Sequence, residues 1–260
     1  MIEQETLSAL KAWFYDYVKT FHSADPEKQL NINIKKEHTI RVCSEIIDIA
    51  KSLDLNREEL RLAEAIAFLH DVGRFEQYAH YGTFSDLNSE DHAVLGIKIL
   101  HENNILKGID QSTRELIFCA IFHHNRIELP KRTTEACLFF TKLLRDADKL
   151  DIWRVLTDYY CNKNKPRNES IELGLPDTPE ISEKVCQELM AGRPIKEAYL
   201  KSLNDFKLLL MGWVYDINFP RTFQLIRERG YLEMIRDALP PSERVLEIYS
   251  MIRNHLEKEC

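Results

Sequence analysis

Glycine and proline are scarce in this sequence, at 8 and 9 of 260 residues. Folds made of short strands and frequent tight turns need more of both, so the shortage favours long helices. None of the six cysteines, Cys43, Cys119, Cys137, Cys161, Cys186 and Cys260, forms a Cys-x-x-Cys pair. That removes the usual signature of a thiolate zinc site or a redox dithiol. Most of them fall inside apolar helical patterns, where cysteine packs as a small core residue, so unpaired thiols are expected. No apolar run approaches the ~20 residues of a membrane span. The opening MIEQETLSALKAWF has early acids and no apolar stretch of signal length, so a reducing cytoplasm and no membrane association are expected. Positive charge is not in excess either. With 35 Lys and Arg against 42 Asp and Glu, the net charge is −7, and stable nucleic-acid binding is not expected. An acidic balance still permits an anionic substrate, because a bound divalent ion dominates its local field.

What is present is the composition of a globular protein, 44% hydrophobic and 30% charged. Apolar residues recur at helical spacing over 5–22, with Leu7, Leu10, Trp13, Phe14, Val18 and Phe21 on one face. A polar loop is expected at 23–33, then helices over 36–53 and 59–71. The second of these is apolar nearly all round from Ala63, which marks a buried helix. It ends in His70-Asp71-Val72-Gly73, a plausible stop. A loop over 82–90 precedes helices at 91–102, 112–124, 133–145 and 147–160. The polar segment 161–179 holds three prolines and reads as a loop that would cover a site as a lid. Helices are then expected at 180–190, 196–215, 219–229 and 242–257. The architecture expected is all-α, with a helical core at 1–160, the loop at 161–179, and C-terminal helices at 180–260 packed on the core in the same domain.

The histidines cluster in the first half. His38, His70, His92, His123 and His124 all sit on expected helices, and Asp148 lies in LLRDADKLDIW. A mixture of imidazole and carboxylate suits Mn, Fe, Co, Ni or Zn better than a thiolate site would, with Mg a further option. His70 and Asp71 stand about 100° apart around a helix, and Asp71 has two oxygens with which to bridge two ions. The alternative is a structural pair, with the histidine donating to a carbonyl. Asp148 has rivals in Asp146, a candidate cap, and Asp151, one turn on. His22, His80, His101 and His255 read as surface residues. Phe75, Tyr78 and Phe84 read as core more readily than as a stacking platform. Asp216, in WVYDINF, is an acid within an apolar run, which needs a partner.

His38, then His70-Asp71, then Asp148 resembles the H…HD…D signature of the HD-domain superfamily. FLHDVGRFEQY is similar to its HD-hydrophobic-Gly-basic segment. RDADKLD is similar to its Ala-Asp-Arg-Leu segment, which puts the ligand on Asp148. DHAVLGIKIL and AIFHHN look like the two further histidine segments of members with binuclear centres. GRFEQYAHYGTFSD and WVYDINF look like a bacterial subfamily.

The resemblance implies an HD-domain helical bundle holding one or two divalent transition-metal ions. The implied ligands are His38, His70, Asp71, His92, His124 and Asp148. His124 is preferred over His123 because Ala120-Ile121 set the family's Ala-Ile-x-x-His spacing, and His123 is then a substrate contact. It implies hydrolysis of a small phosphorylated substrate, a phosphomonoester, phosphodiester or nucleotide. Asp71 and Arg74 would be catalytic, and Arg74 would contact substrate, with Lys149 and Arg145 weaker candidates for that contact. HHN continues RIELPK in place of Gly-Tyr-Pro, which argues against cyclic-dinucleotide specificity. The rival readings are a di-iron oxygenase on the same ligand set and a metal- or ligand-sensing module without turnover. Ligand identity alone does not separate them.

Overall fold

The computed structural model of the chain describes residues 2–162 and 167–259. Of the expected loop 161–179, residues 163–166 lie outside the described residues, and 169–174 form turns. Among the described residues the structure is all-helical, with no strand. None of its helices is long and apolar enough to cross a membrane. The chain divides into two compact units, Met1–Asp148 and Lys149–Cys260. The division falls inside a helix and not in the polar loop.

In the first unit, α1 (Gln4–Lys19) buries Leu7, Leu10, Phe14 and Val18. It packs on α3 (Arg57–Leu69), where Phe14 meets Phe68 edge-on at 5.5 Å. α2 (Pro26–Ser52) starts ten residues before the sequence reading expects it. Asp25 accepts hydrogen bonds from the Glu27 and Lys28 N–H groups, and Pro26 stands where its missing N–H costs nothing. Local capping thus outweighs the polarity of 26–35. Asn56 and Glu59 form a capping box at the head of α3.

After Leu69 the chain stays near helical geometry but tightens. Val72 N–H donates to Leu69 and Arg74 N–H to Asp71, each three residues back. The helix then resumes as α4 (Gly73–Tyr81), a helix the sequence reading ends at Val72–Gly73. α5 (His92–Glu102) is capped by Asp91, and α6 (Gln111–His123) by Asp110. Phe75, Tyr78 and Phe84 are buried, Phe75 completely.

The expected helices 133–145 and 147–160 are one, α7 (Glu135–Cys161). No glycine or proline interrupts 135–161, and Asp146 is an interior residue, not a cap. The cysteine reading also needs correction. Cys119 on α6 and Cys137 on α7 form a disulfide with Cα atoms 6.0 Å apart. Periodicity places each cysteine on a helix face but does not reveal that the two faces meet. Cys43, Cys161 and Cys186 are free thiols.

The second unit contains the last part of α7, α8 (Glu183–Met190), α9 (Leu203–Gly212), α10 (Pro220–Arg229), α11 (Tyr231–Asp237) and α12 (Glu243–Glu259). α9 is buried along its whole length. Trp153 of α7 is fully buried, donates through its indole N–H to Leu210 O at 2.9 Å and stacks on Tyr231. The expected helix 196–215 is divided into short 3-10 turns at Glu197–Tyr199 and Trp213–Asp216 on either side of α9. The histidines read as surface residues divide: His22, His80 and His101 are exposed, but His255 is half-buried, with its ring 5.0 Å from that of Tyr215.

Candidate metal centre

Five separate pieces of the first unit deliver six side chains to one place. His38 comes from the middle of α2, His70 and Asp71 from the tight turn after α3, and His92 from the first residue of α5. His124 comes from the end of α6 and Asp148 from α7. All but Asp148 are buried, and that side chain is 17% exposed. The apolar run of α3 drives its end into the core, which carries His70 and Asp71 inside with it.

The two oxygens of Asp71 face different partners. Oδ2 lies 3.5 Å from His38 Nε2 and 3.8 Å from His70 Nε2. These same nitrogens are 3.1 and 3.7 Å from Asp148 Oδ1. Oδ1 lies 3.3 Å from His92 Nε2 and 4.0 Å from His124 Nε2. Ion–ligand bonds of about 2.0–2.2 Å put neighbouring ligand atoms roughly 3–3.6 Å apart. The groups His38–His70–Asp71, His70–His124–Asp148 and Asp71–His92–His124 are therefore close enough together to hold metal. Neither Asp146 nor Asp151 stands in these groups.

Hydrogen bonding decides what the histidines present. His70 Nδ1 bonds to Ala67 O at 2.7 Å, His124 Nδ1 to Ile121 O at 2.6 Å, and His92 Nδ1 to both Asp86 oxygens at 2.7 and 2.9 Å. A carbonyl or ionised carboxylate only accepts, so each Nδ1 donates and each neutral ring turns a lone pair inward at Nε2. His92 Nε2 and His124 Nε2 then face each other at 3.0 Å. His70 Nε2, fully buried, has no hydrogen-bond partner among the described residues.

Protonation does not relieve the crowding. Burial, with His92 and His70 beside it, pushes His124 down to about 3. Burial and the Arg74 charge lower His92 as well. For Asp71, burial is the largest influence and acts upward, but the charges of Lys35 and Arg74 beside it hold it well below the usual carboxylate range. The Nε2 lone pairs of His92 and His124, facing each other with no hydrogen between them, repel, and a cation is what such a pair beside Asp71 accommodates. The residues fit a divalent metal.

Three residues that contact this cluster escaped the sequence reading. Lys35 Nζ donates to Asp71 Oδ2 at 2.9 Å and rests 5.3 Å from the Phe84 ring centre. It precedes His38 by three residues on α2, a spacing that shares a helix face and was the available signal. Asp86 binds His92 from the irregular stretch between α4 and α5. Asn125, next to His124, donates to Asp86 Oδ2 at 3.1 Å.

The other residues singled out stand outside the ligand groups. Arg74 is held by Asp86, Gln77 and the Phe84 carbonyl, with its Nε 3.6 Å from Asp71 Oδ1. Arg145 donates to the His123 and His124 carbonyls at 3.4 and 2.9 Å and also to that of Arg126, so it caps the end of α6. His123 is half-buried, its ring against Phe122, and is outside the ligand groups. Lys149 donates to Asp216 Oδ2 at 2.6 Å, which supplies the partner that acid needs.

Residues 36–153 match the family model for the HD domain. No curated protein and no solved structure matches the chain.

Proposed function

The chain belongs to the HD-domain family through residues 36–153, and from that premise we propose that it is a phosphohydrolase that uses divalent metal to hydrolyse a small phosphate ester. The observation that carries this reading is the convergence of imidazole lone pairs on both oxygens of one buried carboxylate, Asp71. It supports two ion positions. The first takes His38, His70, Asp71 and Asp148, and the second Asp71, His92 and His124. Divalent ions there supply Lewis acidity toward a phosphoryl oxygen and lower the pKa of water toward neutrality.

The chain's own groups do the rest. Asp71 would present Oδ2 on the His38 and His70 side and Oδ1 on the His92 and His124 side. The carbonyls of Ala67 and Ile121 hold His70 and His124 with their lone pairs inward, so no reorientation is needed during reaction. Phosphoryl transfer spreads negative charge over the phosphoryl oxygens, and a nearby cation stabilises it. Lys35, whose Nζ donates to Asp71 Oδ2 at 2.9 Å, joins Arg74 as a cation for this role, since Arg74 Nη1 is held by Asp86, Gln77 and Phe84. Lys35→Met is expected to keep its metal and to lose about 10–100-fold in kcat/KM toward a phosphomonoester. Loss of metal in that variant would instead make Lys35 a holder of Asp71.

The test of the function is metal analysis of the purified chain, followed by assays on phosphomonoesters, phosphodiesters and nucleotides with Mn, Co, Ni or Mg added. Bound metal with metal-restored hydrolysis is the expected result. Failure to take up metal under any loading condition would sink the reading. Uptake with no hydrolysis of any ester would shift it to an oxygen-activating iron pair or a sensor.

A further inference from the structure

Asp86 lies in the irregular stretch 82–91, six residues before His92 and outside every segment that carries a family ligand. Its two oxygens serve four side chains. Arg74 and Gln77 of α4 donate to Oδ1 at 2.8 Å each, Asn125 donates to Oδ2 at 3.1 Å, and His92 Nδ1 lies 2.7 and 2.9 Å from the two oxygens. The stretch itself is tied down by the same helix. Arg74 also donates to the Phe84 carbonyl, and Gln77 Nε2 reaches Ser89 Oγ and the Glu90 carbonyl at 2.8 Å each.

We infer that Asp86 is a positioning residue that sets the second ion position, by holding His92 with its Nε2 lone pair toward Asp71. The inference rests on the metal-centre reading above. The two positions differ in how they are supported. His70 and His124 are oriented by main-chain carbonyls of their own helices, which no side-chain substitution removes. His92 alone of these three depends on another side chain, and that side chain belongs to a loop. A carboxylate behind a ligating imidazole fixes its tautomer and raises its basicity. Arg74, three residues after Asp71, thereby acts on the centre through Asp86. The second position, with three protein ligands against four, is the one that this clamp controls.

The experiment compares wild type with Asp86→Asn and Asp86→Ala. Asn keeps the shape but leaves one acceptor oxygen for four donors. Ala removes the clamp and strands Arg74. The first readout is metal per chain during Mn titration. Wild type should take up two ions, and both variants should retain the first while the second binds about 10–100-fold more weakly. The second readout is the imidazole 15N spectrum of the metal-free protein, in which wild-type His92 should carry its proton on Nδ1 and Asp86→Asn should show a mixture. Unchanged second-ion affinity in a folded Asp86→Asn overturns the inference. So does a wild-type His92 protonated on Nε2, a result obtainable even if both variants fail to fold. Wild type that binds no ion would overturn the metal-centre reading instead, and the 15N spectra would still decide whether Asp86 governs His92.

Discussion

Asp71→Ala is expected to empty both ion positions at once and to abolish hydrolysis. Its two oxygens face different pairs of histidines: Oδ2 meets His38 and His70, and Oδ1 meets His92 and His124. Removing it separates the positions and leaves each one ligand short. The lost stabilisation is several kcal/mol, which at about 1.4 kcal/mol per tenfold is a rate loss of about 1000-fold or more. Lys35 and Arg74 also lose a buried counter-charge, and breaking a buried ion pair costs about 3–5 kcal/mol. Asp71→Asn, which conserves volume, is therefore measured beside it. Metal per chain should be near zero in both while circular dichroism reports an unchanged helical fold for Asn. Full metal content in a folded Asp71→Asn would contradict the bridging role.

Gly73→Ala should have the largest effect of any one-carbon change in the first unit. Gly73 lies where α4 crosses α5, and a Cβ there would come 2.1 Å from the His92 carbonyl oxygen and 2.7 Å from Gly96 N. Both are backbone atoms, so no side-chain rotation relieves the clash. The opposing Gly96 is less crowded, with Gly73 N and Val72 Cγ2 each 3.3 Å from its would-be Cβ. Overpacking usually costs 1–3 kcal/mol, and backbone against backbone belongs at about 3 kcal/mol or above. The displaced backbone is that of His92 itself, so the second ion should weaken along with the fold. Chemical denaturation and Mn titration measure the two consequences separately. A Gly73→Ala chain of wild-type stability and ion content would refute this close approach.

The glycine shows how function and packing share residues here. Gly73 follows the His-Asp pair by two positions, and its φ is not in the left-handed region. It is required by proximity and not by conformational freedom. A larger residue would drive α5, and the histidine at its head, away from Asp71.

Much of this protein was legible in its sequence because the relevant physics is local. Apolar spacing identified the helices around Phe14, Ile46 and Leu256, and the all-round apolar run ending in His70-Asp71 marked a helix that carries polar ligands into the core. The resemblance to the HD-domain signature, carried by His38, His70, Asp71, His92, His124 and Asp148, implied a metal centre before any distance was known. What the sequence could not decide depends on which surfaces meet. The Cys119–Cys137 pairing, the merging of two expected helices into α7 and the commitment of Arg145 to the end of α6 are all of that kind. So are the partners of Arg74 and Lys35. Arg74 stands beside the motif but is bound by an acid twelve residues away, while Lys35, thirty-six residues before Asp71, is brought to it by the packing of α2. Periodicity reports only which face of an element is apolar. Which element each face meets, and hence which charges and lone pairs are forced together, is settled by tertiary packing, because burial makes every polar group find a partner wherever in the chain it lies.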